Sequence, residues 1–192
     1  MAEAGHMRRA IELSQEMMRS GHGGPFGAVI VKDGKIVAEG FNQATSTNDP
    51  TAHAEVVAVR RACQALETFD LTGREIYTSC EPCPMCLSAI YWARLGRIDY
   101  ANDRHDAAKI RFQDDFLYHD IPPPPDRRSI PASRLLQAEG WAAFEEWDLK
   151  PDKVAYWGGS GLTGNKPLSL RMRRSDPDDR AHWLEIASLR SQ

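Results

Sequence analysis

Three side chains that commonly bind metals fall at two places in the sequence. His53 begins the triplet His53-Ala54-Glu55, and Cys83 and Cys86 lie in the segment Pro82-Cys83-Pro84-Met85-Cys86. Two thiolates three residues apart at a helix start can bind one tetrahedral ion, and the helix N-terminus helps to keep them ionised. His53 from a second helix start would be the third ligand. The pattern predicts a Zn²⁺ site whose fourth position stays open, as in catalytic zinc sites.

Glu55 lies two residues after His53, close enough to reach a water on the metal without being a ligand. Zinc lowers the pKa of a bound water to about 7, and a carboxylate beside it can take the proton and pass it to a ring nitrogen. H-x-E followed by P-C-x-x-C is the described signature of zinc deaminases, in which the Glu is the proton shuttle. Either half alone would be a weak signal, but both halves in order favour hydrolytic deamination.

The remaining two cysteines allow a different interpretation. Cys80 could complete a closed Cys₃His site, which would make the chain a non-catalytic module stabilised by zinc, but Glu55 would then have no role. Because Cys80 precedes Glu81-Pro82, it is predicted to pack in the core, and Cys63 lies on an apolar helical stripe and is predicted to be an inert core thiol. Clustered thiols and a charged N-terminus predict a metal site in a cytoplasmic protein rather than disulfides.

The two motifs need a scaffold that brings two helix starts together. Apolar periodicity predicts an N-terminal helix followed by the order β-β-α-β-α-β, and Asp33-Gly34 is a strong hairpin signal between the first two strands. A strand separates the motif helices, so both N-termini can emerge at one edge of the sheet. This order predicts an α/β fold, a three-layer α/β/α sandwich around a mixed sheet. The predicted elements are helix 5–20, strands 26–31 and 35–40, a polar loop at 42–50, helix 52–66, strand 75–79, helix 84–94 and strand 97–101; residues 102–118 show no clear periodicity, and a short amphipathic helix is predicted between Leu136 and Trp147.

Length and charge restrict the function further. A chain of 192 residues fits one domain, and a net charge of −3 argues against a nucleic-acid partner. No apolar run approaches the length of a membrane span. We predict a catalytic domain over residues 1–157. Residues 158–192 begin with Gly158-Gly159-Ser160-Gly161 and are predicted to be a polar extension, either disordered or non-native.

Three longer segments resemble bacterial guanine deaminases, which belong to the cytidine deaminase superfamily. The metal motif is common to the whole superfamily, whereas the other stretches narrow the resemblance to the guanine deaminases. The resemblance covers the chain from the first helix to about Tyr156. The segments are Gly23-Gly24-Pro25-Phe26-Gly27-Ala28-Val29-Ile30-Val31, Asn48-Asp49-Pro50-Thr51-Ala52-His53-Ala54-Glu55 and Tyr77-Thr78-Ser79-Cys80-Glu81-Pro82-Cys83-Pro84-Met85-Cys86, supported by Ile90-Tyr91-Trp92-Ala93-Arg94 and by a Phe-x-Asp-Asp-Phe stretch.

The resemblance implies a cytidine deaminase-like fold, guanine as the substrate, and xanthine and ammonia as products. It implies that Asn42, Phe26, Ala54 and Tyr156 bind the purine base, with Asn42 hydrogen-bonding it and Phe26 packing on its ring. Asp114 would be a second proton shuttle near the departing amine, although Asp115 could compete for that role. The resemblance further implies a homodimer that exchanges C-terminal segments, so that Tyr156 closes the pocket of the partner.

Two departures and several alternatives accompany this resemblance. Ser88 stands where the family usually has Gly, and about 36 residues follow Tyr156, near which the family chain ends. Deaminases of guanosine, cytosine or adenine in tRNA share the metal motif. A tRNA deaminase would favour a basic surface and a Lys-Thr-Gly-Ala stretch after the fourth strand, where this chain has Asp106-Ala107-Ala108-Lys109.

Overall fold

A computed structural model describes residues 2–156 of the chain. Its regular elements follow the predicted order, with three additional short helices. They are α1 (Ala2–Arg19), β1 (Gly27–Lys32), β2 (Lys35–Phe41), α2 (Ala44–Thr47), α3 (Ala54–Ala65), β3 (Glu75–Cys80), α4 (Pro84–Trp92), β4 (Arg97–Asn102), α5 (Arg104–Lys109), α6 (Asp115–Asp120), a 3₁₀ turn (Pro125–Arg127) and α7 (Gln137–Leu149).

The four strands form one mixed sheet in the order β2-β1-β3-β4. Strand β1 is antiparallel to both β2 and β3, whereas β3 and β4 are parallel. The parallel pair requires a crossover, which α4 supplies. Cys83 and Cys86, the two cysteines of the motif, therefore lie at the start of the crossover helix, directly after β3.

Alternating residues of β1 build a core on each face of the sheet. Val29 and Val31 pack with Ala10 of α1 and with Tyr77 on one face. Ala28 and Ile30 belong to the larger cluster on the other face, which includes residues of α3 and α4. Helices therefore cover both faces, and the predicted three-layer α/β/α arrangement with a mixed sheet is confirmed.

Helix α3 lies directly on strand β2 at Gly40. A Cβ atom on Gly40 would lie 2.2 Å from the carbonyl oxygen of Ala54 and 2.5 Å from the amide nitrogen of Ala58. Both alanines are fully buried. Because Gly40 has no side chain, the first turns of α3 can pack directly against β2. His53 is the N-cap of α3, and Glu55 lies in its first turn.

The structure adds helices where the sequence pattern predicted none. Helix α2 interrupts the predicted polar loop, and α5 and α6 fill the segment without clear periodicity. Helix α5 begins with a capping box in which the Asp106 N–H donates to the Asp103 carboxylate at 2.9 Å. Helices of four to six residues are too short to show an apolar period, so their absence from the prediction has a simple cause.

The chain divides into two compact units, residues 1–133 and 134–192. The second unit is described up to Tyr156 and contains α7, the predicted amphipathic helix. Trp141, Phe144, Trp147 and Leu149 of α7 are all exposed. The predicted extension 158–192 lies outside the described residues, and the predicted boundary after residue 157 remains a prediction. Within the described part, no helix is both long and apolar enough to cross a bilayer.

Candidate active site

His53, Cys83 and Cys86 converge at the starts of two helices. His53 is the N-cap of α3, Cys83 is the N-cap of α4 and is followed by Pro84, and Cys86 lies in the first turn of α4. The Nδ1 atom of His53 lies 3.6 Å from Sγ of Cys83 and 3.5 Å from Sγ of Cys86. Zn–N and Zn–S bonds of about 2.1 and 2.3 Å at a tetrahedral angle separate N and S by about 3.6 Å. The spacing of the three donors therefore fits a zinc ion.

Contacts among His53, Cys83 and Cys86 favour negative charge at one of the three donors, Cys83. A hydrogen bond from Cys86 and a second with His53 lower the pKa of Cys83 to about 4. The hydrogen bond between Cys83 and His53 raises the pKa of His53. The hydrogen bond between Cys83 and Cys86 raises the pKa of Cys86. Negative charge is thus already favoured at Cys83, beside an imidazole and a second sulfur in the geometry of a three-ligand site.

Cys80 and Cys63 lie apart from this donor group. Among the described residues, the cluster with ligand atoms within 4.8 Å of one another contains His53, Cys83 and Cys86. Cys80 is buried, and its thiol donates to the carbonyl oxygen of Asp103 at 3.6 Å. Cys63 packs against the larger core cluster. This arrangement favours an open site with three protein ligands over the closed Cys₃His alternative.

Glu55 is buried beside the three metal-binding side chains His53, Cys83 and Cys86, here called the donor triad. Its side chain accepts a hydrogen bond from Cys86 Sγ at 3.4 Å, and the residue is 6% exposed. Burial raises the pKa of Glu55 to about 7. A carboxyl group with a pKa near neutrality can both accept and return a proton, which is the property that a proton shuttle requires.

A cavity of about 510 Å³ opens onto His53, Cys83 and Glu55, a size typical of small-molecule sites. Phe26, Asn42 and Asp114 line it, as expected for residues that handle a base. The Asn42 oxygen accepts the Ala44 N–H at 3.1 Å, which leaves its NH₂ group as the donor available to a ring acceptor. Ala54 is buried against Gly40 and does not line the cavity.

Asp114 is the N-cap of α6 and is half-buried. Burial, followed by the negative charges of Cys83 and Glu81, raises its pKa, and the positive charge of Arg104 opposes the shift. Asp115 is exposed, lies 3.4 Å from His119 and does not line the cavity on the metal side. The geometry therefore favours Asp114 over Asp115 as the second acid.

Two further residues of the cavity wall received no role from the sequence. Phe112 meets the Phe26 ring edge-on, with centroids 4.8 Å apart, and Arg104 lines the same wall. Phe112 opens the Phe-x-Asp-Asp-Phe stretch, so a signal existed, but a lone Arg at a helix start carried none. Tyr156 lies in the second unit, at the end of the described residues.

The substitution at Ser88 is accommodated on the surface of α4. Its hydroxyl donates to the carbonyl oxygen of Pro84 at 2.8 Å, and the residue is exposed. A side chain at this position thus meets no close packing partner within the described part of the chain.

Comparisons with known proteins agree with this site. The model of the cytidine and deoxycytidylate deaminase zinc-binding region matches residues 2–102. A guanine deaminase of Bacillus subtilis is 49% identical over 150 residues, covering 78% of this chain and 96% of that protein. A tRNA-specific adenosine deaminase of Agrobacterium fabrum is 46% identical over only 76 residues, 40% of this chain and 50% of that protein.

A solved structure extends the agreement to the fold. The crystal structure of guanine deaminase from Bacillus subtilis has a TM-score of 0.78 at 48% sequence identity and covers 80% of this chain and 98% of that one. The predicted cytidine deaminase-like fold is confirmed, and the zinc-binding family model together with the three converging donors identifies Zn²⁺ as the cofactor. The chain therefore belongs to the guanine deaminase family, within the zinc-dependent cytidine and deoxycytidylate deaminases.

Proposed function

We propose that the protein hydrolyses guanine to xanthine and ammonia and so serves purine catabolism or salvage. The observation that carries this proposal is the position of Glu55, buried beside three zinc ligands at the end of a cavity that Phe26 and Asn42 line. When bound by His53, Cys83 and Cys86, zinc supplies a Lewis acid that makes hydroxide available at neutral pH.

Glu55 moves the proton that the reaction displaces. Attack of water on C2 of guanine builds negative charge on N3, and Glu55 takes a proton from the water and delivers it to N3. Breaking the bond between C2 and the amine nitrogen requires a second proton, because an unprotonated amine leaves poorly. Asp114 supplies that proton from the cavity wall and is reprotonated as the C2 hydroxyl loses its proton to become the carbonyl, so that guanine and water yield xanthine and ammonia.

The cavity wall orients the base. The Phe26 ring packs on the purine plane and is itself braced edge-on by Phe112. The Asn42 NH₂ group donates to a ring acceptor, and Asn42 is held by its bond to Ala44. Fixing the plane and one edge of the base places the reacting carbon against Glu55. Holding reacting groups in this geometry lowers the entropic cost of the reaction.

Ammonia release from guanine, guanosine, adenine, cytosine and cytidine tests the substrate. Guanine should be turned over fastest, and guanosine much more slowly, because the ribose needs space that a site enclosing a free base lacks. Equal or faster turnover of guanosine would exclude the free base as the preferred substrate while leaving zinc-dependent deamination intact. Each assay needs a measured zinc content.

The protein is further proposed to act as a homodimer that exchanges C-terminal segments, with Tyr156 closing the pocket of the partner. Exposed apolar side chains support a partner: Trp141, Phe144 and Trp147 on α7 in one unit and Tyr91 and Tyr100 in the other. Among the described strands, β2 and β4 are the two edges of the sheet, and each pairs on one side alone. Surfaces of this kind mark association sites.

A mixing experiment tests the exchange. Glu55→Gln and Tyr156→Ala homodimers should each have low activity. After mixing and subunit exchange, a dimer with one chain of each kind should regain about one intact site, because an exchanged Tyr156 would come from the chain that lacks Glu55. Recovery of activity supports exchange, whereas none after demonstrated subunit mixing excludes it.

A cytoplasmic location is proposed because the zinc site uses thiols. All four cysteines are free, and two of them must stay reduced to bind metal. Cell fractionation with an assay for guanine deaminase activity checks this location, and activity confined to a secreted fraction would contradict it.

A further inference from the structure

The segment that carries Asp114 has little support from the core. Asp114 precedes α6, which is six residues long, and none of residues 115–120, all of which the structure describes, is buried. A shuttle acid must nevertheless be held within a fraction of an ångström of its proton acceptor to be effective. Some contact outside the core must therefore fix the position of Asp114.

Arg104 is held firmly at the start of α5. The capping box of Asp103 and Asp106 fixes the first turn, and the Arg104 N–H donates to the carboxylate of Glu81 at 3.1 Å. Glu81 lies on the loop that leads from β3 to Cys83. The backbone of Arg104 is thus tied to the same loop that delivers the metal ligands.

The Arg104 side chain connects this fixed point to α6. Its guanidinium carbon lies 4.5 Å from the centroid of the Tyr118 ring, a close cation–π distance. Tyr118 is half-buried and lies four residues after Asp114, one helical turn along α6. The stack therefore joins α5 to the turn of α6 that follows Asp114.

Arg104 and Asp114 also share the wall between two cavities. Both line the cavity at the metal and a second cavity of about 610 Å³, and Gln113 also lines both. A small movement of α6 would carry Asp114 away from the first cavity and towards the second. The Arg104–Tyr118 stack opposes that movement.

We propose that Arg104, through its stack on Tyr118, is a positioning residue that holds Asp114 at the reacting amine. This inference rests on the proposed role of Asp114 as the second proton shuttle. Arg104 acts on the reaction through Asp114 and not through the substrate or the metal. Its loss should lower kcat while KM and zinc content stay nearly constant.

Single substitutions test the stack. Arg104→Gln and Tyr118→Leu should each lower kcat by roughly 2- to 30-fold, the range that follows from losing a cation–π contact. Tyr118→Phe keeps the ring but loses the hydroxyl that hydrogen-bonds Arg104, and Arg104→Lys keeps a cation, so both should lose less activity than Arg104→Gln and Tyr118→Leu. Arg111→Gln is the matched control, since Arg111 is exposed, lies outside the cavity wall and carries the same charge.

The decisive measurement repeats Arg104→Gln in an Asp114→Asn background, with zinc content and KM determined for every variant. If Arg104 acts through Asp114, the second substitution should change kcat by less than about twofold in that background. The same loss in both backgrounds, or a loss of zinc on Arg104→Gln, would overturn the inference. Unchanged kcat for Asp114→Asn alone would instead disprove the proposed shuttle role on which the inference depends.

Discussion

The carboxyl group of Glu55 is buried beside the three metal donors. Burial raises its pKa to about 7, and one of its oxygens lies 3.4 Å from Sγ of Cys86. Burying an acid lowers the stability of the fold, and an acid with no functional role would bring no benefit that offsets this cost. Its place next to the donor triad indicates that the cost of burial is offset by function.

Glu55→Gln should keep zinc bound and lower kcat by roughly 10²- to 10⁴-fold, the usual contribution of a positioned acid–base group. The amide is nearly isosteric with the carboxylate but cannot carry the proton. Metal analysis and steady-state kinetics on the same preparation check this expectation. A substoichiometric zinc content would mean that Glu55 is needed to hold the metal.

Cys80→Ser should retain zinc, whereas Cys83→Ser and Cys86→Ser should each lose most of it. The Cys80 thiol is directed to the Asp103 carbonyl and not to the triad, and a serine hydroxyl can keep that hydrogen bond. Zinc content after gel filtration against a weak chelator distinguishes the three variants. Equal loss in all of them would restore the closed Cys₃His site.

How much of the site can be predicted depends on how its residues are spaced. His53 with Glu55, and Cys83 with Cys86, form two local pairs, so their sequence spacing already indicates the metal site. Asp114 was assigned by family resemblance, since a single acid in a charged segment has no pattern of its own. Arg104 forms part of the wall through tertiary packing alone, which spacing along the chain cannot predict, whereas Phe112 belongs to the Phe-x-Asp-Asp-Phe stretch but had no role of its own in that pattern.

At the scale of elements, the position of α3 on the sheet determines the position of His53. Gly40→Ala should lower the free energy of unfolding by about 1–3 kcal/mol, the usual cost of overpacking, because the new Cβ would overlap backbone atoms of α3. Zinc affinity should fall as well, since His53 and Glu55 start the displaced helix.

Gly96→Ala is the matched control for this change. A Cβ at Gly96 would lie 3.6 Å from the nearest atom, the Arg74 carbonyl oxygen, which is an ordinary contact. Chemical denaturation and a competitive zinc titration on both variants separate the effects. If the two variants behave alike, the close approach at Gly40 is not what positions α3.

The ion pair between α1 and β2 gives the fold a pH dependence. Arg9 donates to both oxygens of Glu39, at 2.7 and 2.9 Å, and this contact lowers the pKa of Glu39 from its ordinary value of 4.5. The pair therefore stabilises the fold at pH values above 4.5 and loses its contribution as the pH falls through the lowered pKa.

Glu39→Gln should be less stable than the unchanged chain at neutral pH, by less than about 1 kcal/mol because the pair is partly exposed. The difference should shrink as the pH falls below 4.5. Urea unfolding of both proteins at several pH values, with Arg9→Gln as a second variant, checks this. A difference that grows on acidification would contradict the assigned sign.

The order of the longer elements was predictable because each has its own apolar period or turn signal. The hairpin at Asp33-Gly34 is observed, and the two residues have φ values of 49° and 73°. Helices α2, α5 and α6 escaped prediction because four to six residues are too few to show a repeating apolar pattern, and among the three a side-chain cap is present at α5 alone. These short helices surround the site, so the least predictable elements are the ones nearest to the chemistry.

At the scale of the whole molecule, the second unit is too exposed to be explained by its own packing. Helix α7 has no buried residue although four of its side chains are large and apolar. Exposure of this extent is costly in an isolated chain. It agrees with the proposed exchange of C-terminal segments between two copies.

Removing residues 158–192 should leave activity nearly unchanged, while removing residues 154–192 should abolish most of it. The two cuts fall on opposite sides of Tyr156, the residue proposed to close the pocket, and the polar extension beyond is predicted to add little to the core. Loss of a closing aromatic should lower kcat and raise KM together, because the base is then held less firmly and water enters the site.

Both truncated proteins must be compared at equal zinc content, with light scattering to follow the oligomeric state. Tyr156→Ala in the full chain measures the effect of losing the aromatic ring while the rest of the segment is kept. If the shorter deletion is as damaging as the longer one, the extension has a function of its own. If neither deletion matters and Tyr156→Ala is fully active, Tyr156 does not close the pocket. A dimer that persists in the longer deletion would further show that residues 154–192 are not needed to hold the two copies together, since α7 ends at Leu149 and remains intact in both proteins.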